Sequence, residues 1–290
     1  MGQVLISPLN WGLGHATRDI PVVRELLRHG HEVTIAASGN ARSVLQQEFP
    51  GCASLDFPDY AIPASANNLF LARFALSFPV LLRGIADERR NLAAILADRQ
   101  YDLIISDNRL GVYSDRIPSL FITHQLHYHL PLPAWPIELL GVWLNGFLHE
   151  RFSRIIVPDN PPGPLSLAGK LSRADTEMTR TRTYYAGILT SMRKREVEQD
   201  LDYLFIISGP EPQRTELEKL LLPTACNLLG SVVVLLGSPG RAGTTQSTGR
   251  CTVMAYASTE EQKGIGDSPD TCGACFCLIV LRSCLSGASR

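Results

Sequence analysis

The sequence predicts a parallel α/β protein built in two halves, and three observations carry that expectation. Short apolar runs alternate with amphipathic helical patterns. Glycines and small polar residues sit at the turns between them. After a proline-rich interruption the same cadence begins again near residue 203, and 290 residues suit two domains better than one.

In order along the chain, residues 3–7 (QVLIS) read as a strand and Gly12 and Gly14 as a break. Residues 18–29 read as a helix whose Ile20, Val23, Leu26 and Leu27 share one face. Gly30 stands at the C-cap position and residues 31–36 supply a second strand, completing a βαβ unit with its right-handed crossover. Residues 87–98 read as a helix. Residues 101–106 (YDLIIS) and 117–123 (IPSLFIT) read as strands, with 154–157 as the last strand of that sheet. Residues 158–171 (PDNPPGPLSLAGKL) interrupt the pattern. Beyond them come a strand at 203–208, a break at 209–212, a helix at 214–222 and a strand at 232–235. The expected division is an N-terminal domain over 1–157, a Pro/Gly-rich linker region over 158–188, a partial second domain over 189–265 and a cysteine-rich tail over 266–290.

Charge and composition exclude several classes. Lys and Arg total 27 against 28 for Asp and Glu, a formal charge of −1, so the basic excess of a nucleic-acid binder is missing. A hydrophobic share of 45% argues against disorder. The first residues show no basic stretch followed by an apolar one, and Ile6 stands where a myristoylation site needs Ser or Thr. The apolar stretches 69–86 and 130–147 are broken by Arg73 and Arg83, and by three prolines and Glu138, so neither reads as a membrane span. Helices packed on the sheet are one reading of these stretches, and contact with a membrane surface is the other. A reducing cytoplasm is the expected compartment.

Chemistry concentrates at strand ends. The first βα turn, residues 10–18 (NWGLGHATR), brings backbone N–H groups and a helix start toward a ligand. A dinucleotide fingerprint is contradicted by Thr17 at its third glycine and by the lack of an acid ending the second strand. His15, just after the second glycine, is either a proton acceptor or a helix-start residue bonded to its own turn. Asp107, Asn108 and Arg109 follow one strand, and Thr123, His124 and Gln125 end the next. Both groups are candidates for a cleft, with Asp107 capping a turn and pairing with Arg109 as the alternative. His124, His127 and His129 lack an acidic partner and read as cleft or surface histidines rather than metal ligands.

WGLGHATRD, SDNRLGVYS, IPSLFITHQ and SLAGKLS together resemble the GT-B glycosyltransferases related to family 28, which include the peptidoglycan N-acetylglucosaminyltransferase and plant galactolipid synthases. The resemblance spans roughly residues 3–262. It implies two Rossmann-like parallel-sheet domains facing a cleft, the first for an acceptor and the second for a nucleotide sugar, in the first instance a UDP-sugar. His15 is then the base, oriented by Asp107. Gly12, Gly14, Thr17, Arg18, Asn108, Arg109, His124 and Gln125 line the acceptor side. Gly187, Ser208, Gly209, Arg214 and Tyr256 hold the donor. The expected reaction is inverting, needs no metal or other cofactor, and delivers a hexosyl group to a glycan or lipid-linked hydroxyl at the inner face of the plasma membrane.

The sequence departs from that family after Gln262, where the Ser-Gly loop and the Glu-bearing helix that bind the donor ribose are missing. The second domain is therefore expected to be incomplete, with an exposed edge strand. Cys272, Cys275 and Cys277 have thiolate spacing for zinc but lack a good fourth ligand, and an aberrant terminus is the preferred reading of the tail. A binding-only remnant and a nucleotide-sugar 2-epimerase on the same fold stay open beside the transferase.

Overall fold

The computed structural model describes residues 1–60, 70–127, 146–191, 201–209, 212–241, 245–257 and 278–281; for 70–78, 178, 241 and 278–281 it describes the backbone alone. The readings placed on His129, on most of the 130–147 stretch, on Pro210 and Glu211, and on Cys272, Cys275, Cys277 and Cys284 lie outside these residues.

The first half is a seven-stranded sheet formed by β1 (Gln3–Pro8), β2 (Glu32–Ala37), β3 (Ala53–Asp56), β4 (Leu103–Asp107), β5 (Ser119–Ile122), β6 (Arg154–Val157) and β7 (Thr183–Tyr185). Its order is β3-β2-β1-β4-β5-β6-β7, and every pair is parallel. Alternate residues of β1 serve opposite faces, as a pleated strand requires. Val4 and Ile6 join Ala16, Ile20 and Val23 of α1 (Leu13–Arg28). Leu5 joins Leu92 of α3 (Phe70–Asp98), Tyr101 and Ile104 on the other side. Covered on both faces, the strand is buried continuously from Val4 to Pro8, the pattern of a buried parallel sheet. Each fully buried Leu or Ile contributes about 1.5–3 kcal/mol through removal from water.

The strand order reverses between β1 and β4, because β1 is flanked by β2 on one side and β4 on the other. The loops leaving β1 and β4 therefore diverge, and a crevice opens beyond their C-terminal ends. His15 follows β1 and Asp107 ends β4, so the topology brings them together.

Several elements differ from the sequence expectation. α1 begins at Leu13 rather than Arg18, because Gly12 at φ 94° turns the chain directly into the helix. Between β2 and α3, two elements had no counterpart in the reading. α2 (Gly39–Glu48) buries only Ala41, Val44 and Leu45, and β3 is four residues long and nowhere buried. The first sheet does not end at β6. β7 extends it from within the proline-rich stretch, with Ile155 opposite Thr183, after the short α4 (Glu177–Arg182).

The second half holds β8 (Tyr203–Ile206), α5 (Gln213–Cys226), β9 (Val232–Leu235), β10 (Thr245–Thr248), β11 (Cys251–Met254) and β12 (Leu278–Leu281) in the order β10-β11-β9-β8-β12. β8, β9 and β11 are parallel, but β10 and β12 run antiparallel, so the expectation of a purely parallel second sheet is corrected. The reason at one edge is connection length: Gly249 and Arg250 alone join β10 to β11, and a two-residue turn can link only antiparallel strands. At the other edge β12, from the tail, pairs antiparallel along β8. Cys226 and Cys251 form a disulfide between α5 and β11, and Cys52 is free.

The two halves meet at the C-terminal ends of their sheets. The turn at Pro239–Arg241 packs on α2, and Tyr256 enters the core of the first sheet. Gly237, at φ 61°, lies where an added Cβ would strike the Ile207 carbonyl oxygen and come within 3.6 Å of Leu13. Among the described residues no helix is long and apolar enough to cross a membrane.

Candidate active site

The glycine turn after β1 carries His15 and Arg18 in the first turns of α1, on the same side of the helix at a spacing of three. His15 Nδ1 lies 3.0 Å from Asp107 Oδ1. Arg18 grips the same carboxylate from the side, Nε reaching Oδ2 at 2.7 Å and an Nη2 hydrogen bond going to Oδ1. Arg18 Nη2 also stands 2.8 Å from His15 Nδ1, and Nη1 stands 3.1 Å from His124 Nδ1. Four residues from α1, β4 and the end of β5 thus form one cluster.

Its electrostatics follow from depth and neighbours. Burial works to raise the Asp107 carboxyl, but the Arg18 charge and His15 outweigh it and bring it down to about 2. Burial opposes charge on Arg18, yet Asp107 raises its pKa above the usual guanidinium value. Burial, and then the Arg18 and His15 charges, bring His124 down to about 4, so it is neutral at pH 7. The Nδ1-protonated tautomer of His15 donates to Asp107 and leaves Nε2 with its lone pair. Arg18 Nη2, which can only donate, favours the opposite tautomer, in which Nδ1 accepts.

The other acceptor-side candidates divide into two groups. Asn108 is held at φ 59°, a left-handed conformation that Asn tolerates, and its Oδ1 accepts from Thr123 Oγ1 at 3.2 Å. The Gln125 backbone N–H donates to Thr123 Oγ1 at 3.1 Å, and both residues therefore edge the cluster. Gly12 and Gly14 form the turn and first helical residues, and Thr17 Oγ1 bonds back to the Leu13 carbonyl at 3.0 Å. Arg109 goes elsewhere. Its side chain is fully buried and bonds to Asp59, to the Phe57 and Pro58 carbonyls, and faces Glu88 Oε1 at 3.4 Å. It pairs with these acids rather than with Asp107, and it lies behind the site instead of in it.

That buried cation organises a neighbouring wall. Asp59 accepts from the Asn10 backbone at 3.2 Å and from Ser38, tying the β3 exit to the first glycine turn. Trp11 meets Tyr60 edge to face at 5.8 Å. A cavity of about 400 Å³ opens here, lined by Pro58, Asp59, Tyr60, Gly84, Glu88 and Asn91.

The donor-side candidates are not gathered into one cluster. Ser208 and Gly209 lie half-buried in the loop leaving β8 toward α5, and Gly209 has φ 135°. Arg214 is buried, with Nη1 at 2.7 Å from Glu218 and 3.0 Å from the Leu236 carbonyl. Gly187 follows β7, on the first sheet, at φ 72°. Tyr256 is buried in the core of the first half. His127 pairs with Asp175 at 3.1 Å, and among the described residues no group of three His, Cys, Asp or Glu is placed to hold a metal.

Sequence reasoning missed Asp19, Asp59 and Glu88. Asp19 is fully buried in α1 against the cluster, and a helix starting at Leu13 would have revealed it, since it stands four residues after His15. Asp59 and Glu88 gave no signal, because only folding brings them to Arg109.

No established family profile matches the sequence. Two curated relatives, both described as uncharacterized glycosyltransferases, are similar to it. One, from Methanosarcina mazei, is 26% identical over 215 residues, covering 68% of this chain and 53% of the relative. Another, from Methanosarcina acetivorans, is 24% identical over 210 residues, covering 68% and 52%. The chain therefore spans about half the length of the curated relatives it matches. Among solved structures, the glycotransferase of kitacinnamycin superposes with a TM-score of 0.52 at 16% identity, over 88% of this chain and 71% of that one. The fold is that of the GT-B glycosyltransferases.

Proposed function

We propose that this chain transfers a hexosyl group from a nucleotide sugar, a UDP-sugar in the first instance, to a hydroxyl of a glycan or lipid-linked acceptor, with inversion and without a metal. The observation that carries the reading is the His15–Asp107 contact at the point where the strand order reverses. The relatives' descriptions as glycosyltransferases and the GT-B fold support it.

In this reading His15 Nε2 takes the proton of the acceptor hydroxyl while Nδ1–H stays bonded to Asp107. The acceptor oxygen forms a bond to the anomeric carbon, and the bond from that carbon to the diphosphate oxygen breaks. The diphosphate leaves with the electron pair. Backbone N–H groups at the β8–α5 turn, around Ser208 and Gly209, are suited to the departing negative charge. Arg18 keeps Asp107 ionised, so the imidazolium that forms has a counter-charge 3.0 Å away.

The cavity beside Trp11 and Tyr60 suits a polar acceptor, since acids and an amide line it. Val80 and Leu82, exposed on α3, offer apolar side chains toward a lipid-linked acceptor's surroundings. A cytoplasmic location at the inner face of the membrane goes with that acceptor. Transfer assays with UDP-sugars, combined with calorimetric titration by UDP, test the proposal. His15→Ala should abolish transfer and leave UDP affinity unchanged; full turnover by that variant would remove the base from the scheme.

A further inference from the structure

Asp19 is fully buried, and among the described residues no donor reaches either of its oxygens. The ionisable groups that act on it are Asp107, from the end of β4, and Arg18, its neighbour on α1. Among the described residues, His15, one helical turn before it, and His124, at the end of β5, stand beside the pair, and Asp159 acts on His124 from beyond it. Two carboxylates side by side in a closed site repel each other strongly, and the one cation of the cluster is already bound through Nε and Nη2 to Asp107.

An ionised carboxylate has about four acceptor positions. On Asp107, Oδ1 receives His15 and Arg18 Nη2, and Oδ2 receives Arg18 Nε. One position on Oδ2 has no donor among the described residues. We propose that Asp19 carries a proton at neutral pH and donates it to Asp107, so that an acid–carboxylate pair, rather than Asp107 alone, orients His15. Asp19 is then a positioning residue. Burial, and then the Asp107 charge, push its carboxyl well above the usual carboxylate range, in keeping with this arrangement.

The consequence for His15 rests on its reading as the base. An ionised Asp19 would compete with Asp107 for the donors of Arg18 and loosen the carboxylate that bonds to His15. A neutral Asp19 leaves Arg18 and Asp107 balanced and adds a donor to the carboxylate that orients His15.

The test needs neither donor nor acceptor, so its outcome is independent of the transfer reading. Unfolding of the native chain and of Asp19→Asn is compared from pH 4 to pH 8; Asn keeps the shape and a donor but does not titrate. Glu88 is present in both chains and cancels. A carboxyl whose folded value lies above its unfolded value of about 4 stabilises most below that pH. The native-to-variant ratio of folding constants is expected to fall about tenfold per pH unit above it. A ratio that is flat or rising across this range overturns the proposal. Should Asp19→Asn fail to fold, the carboxyl carbon resonance of Asp19 in the native chain decides, a protonated position at pH 7 supporting the pair and an ionised one ending it. The positioning role is read from the His15 ring nitrogens by NMR: Asp19→Ala should move them and Asp19→Asn restore them. Unmoved signals in Asp19→Ala would refute that role.

Discussion

His15 Nδ1 and Asp107 Oδ1 stand 3.0 Å apart although 92 residues separate them in the chain. In the Nδ1-protonated tautomer His15 donates to a carboxylate that Arg18 holds ionised. Asp107→Asn removes that charge while keeping the shape. Turnover is expected to drop by about a hundredfold or more, with UDP affinity changed by less than about twofold. Steady-state transfer at saturating donor, with calorimetry beside it, measures both.

Arg109 makes a second, purely architectural demand. It is the buried cation between Asp59 and Glu88, so Arg109→Leu leaves both acids without it. A loss of about 3–5 kcal/mol is expected from urea unfolding, since breaking a buried pair strands its charges. Asp59→Asn should cost less, because an amide oxygen still accepts from Arg109. Equal losses in the two variants would argue against this account.

Glu88 makes the stability of the first half depend on pH. Burial, opposed by Arg109 and the Gly111 N–H, raises its carboxyl from about 4.5 to about 7. The folded state therefore holds this proton more tightly than the unfolded chain. Its contribution is fully present below about pH 4.5 and is lost as pH rises to about 7, in all about 3 kcal/mol. Glu88→Gln should flatten that part of the curve while its amide oxygen keeps the Gly111 bond of 2.9 Å. Thermal unfolding between pH 4 and pH 8 provides the measurement.

Asp159 holds the loop after β6 closed. Its carboxylate accepts from the backbone of Asn160, Leu167 and Ala168 and from Ser166 and Ser172, at 2.7–3.1 Å. Asp159→Ala leaves these donors without their acceptor, which costs about 2–4 kcal/mol. Amide exchange at Leu167 and Ala168 should accelerate by at least about tenfold. Unchanged protection there would show that the loop is closed by its other contacts.

Legibility in the sequence tracked locality. β1, α1, β2, β4, β5, β6, β8, α5 and β9 announced themselves because each carries an apolar run or one apolar helical face of its own. β3, α2 and β7 are short or half-exposed and borrow their stability from neighbours, so no local pattern marked them. The same division holds at the site. His15 was visible beside its glycines, whereas Asp19 was hidden by a helix boundary placed five residues late.

What the sequence alone determined was the α/β character, the glycine break after β1 and the placement of His15 and Asp107 near strand ends. These follow from hydrophobic period and backbone freedom, which are properties of neighbouring residues. Only the tertiary structure decided that Arg18 would join His15 at Asp107, that Arg109 would turn inward to Asp59 and Glu88, and that Asp19 would be buried without a donor. Charged groups choose partners by distance and by exclusion of water, and both exist only once the strands have been ordered into a sheet.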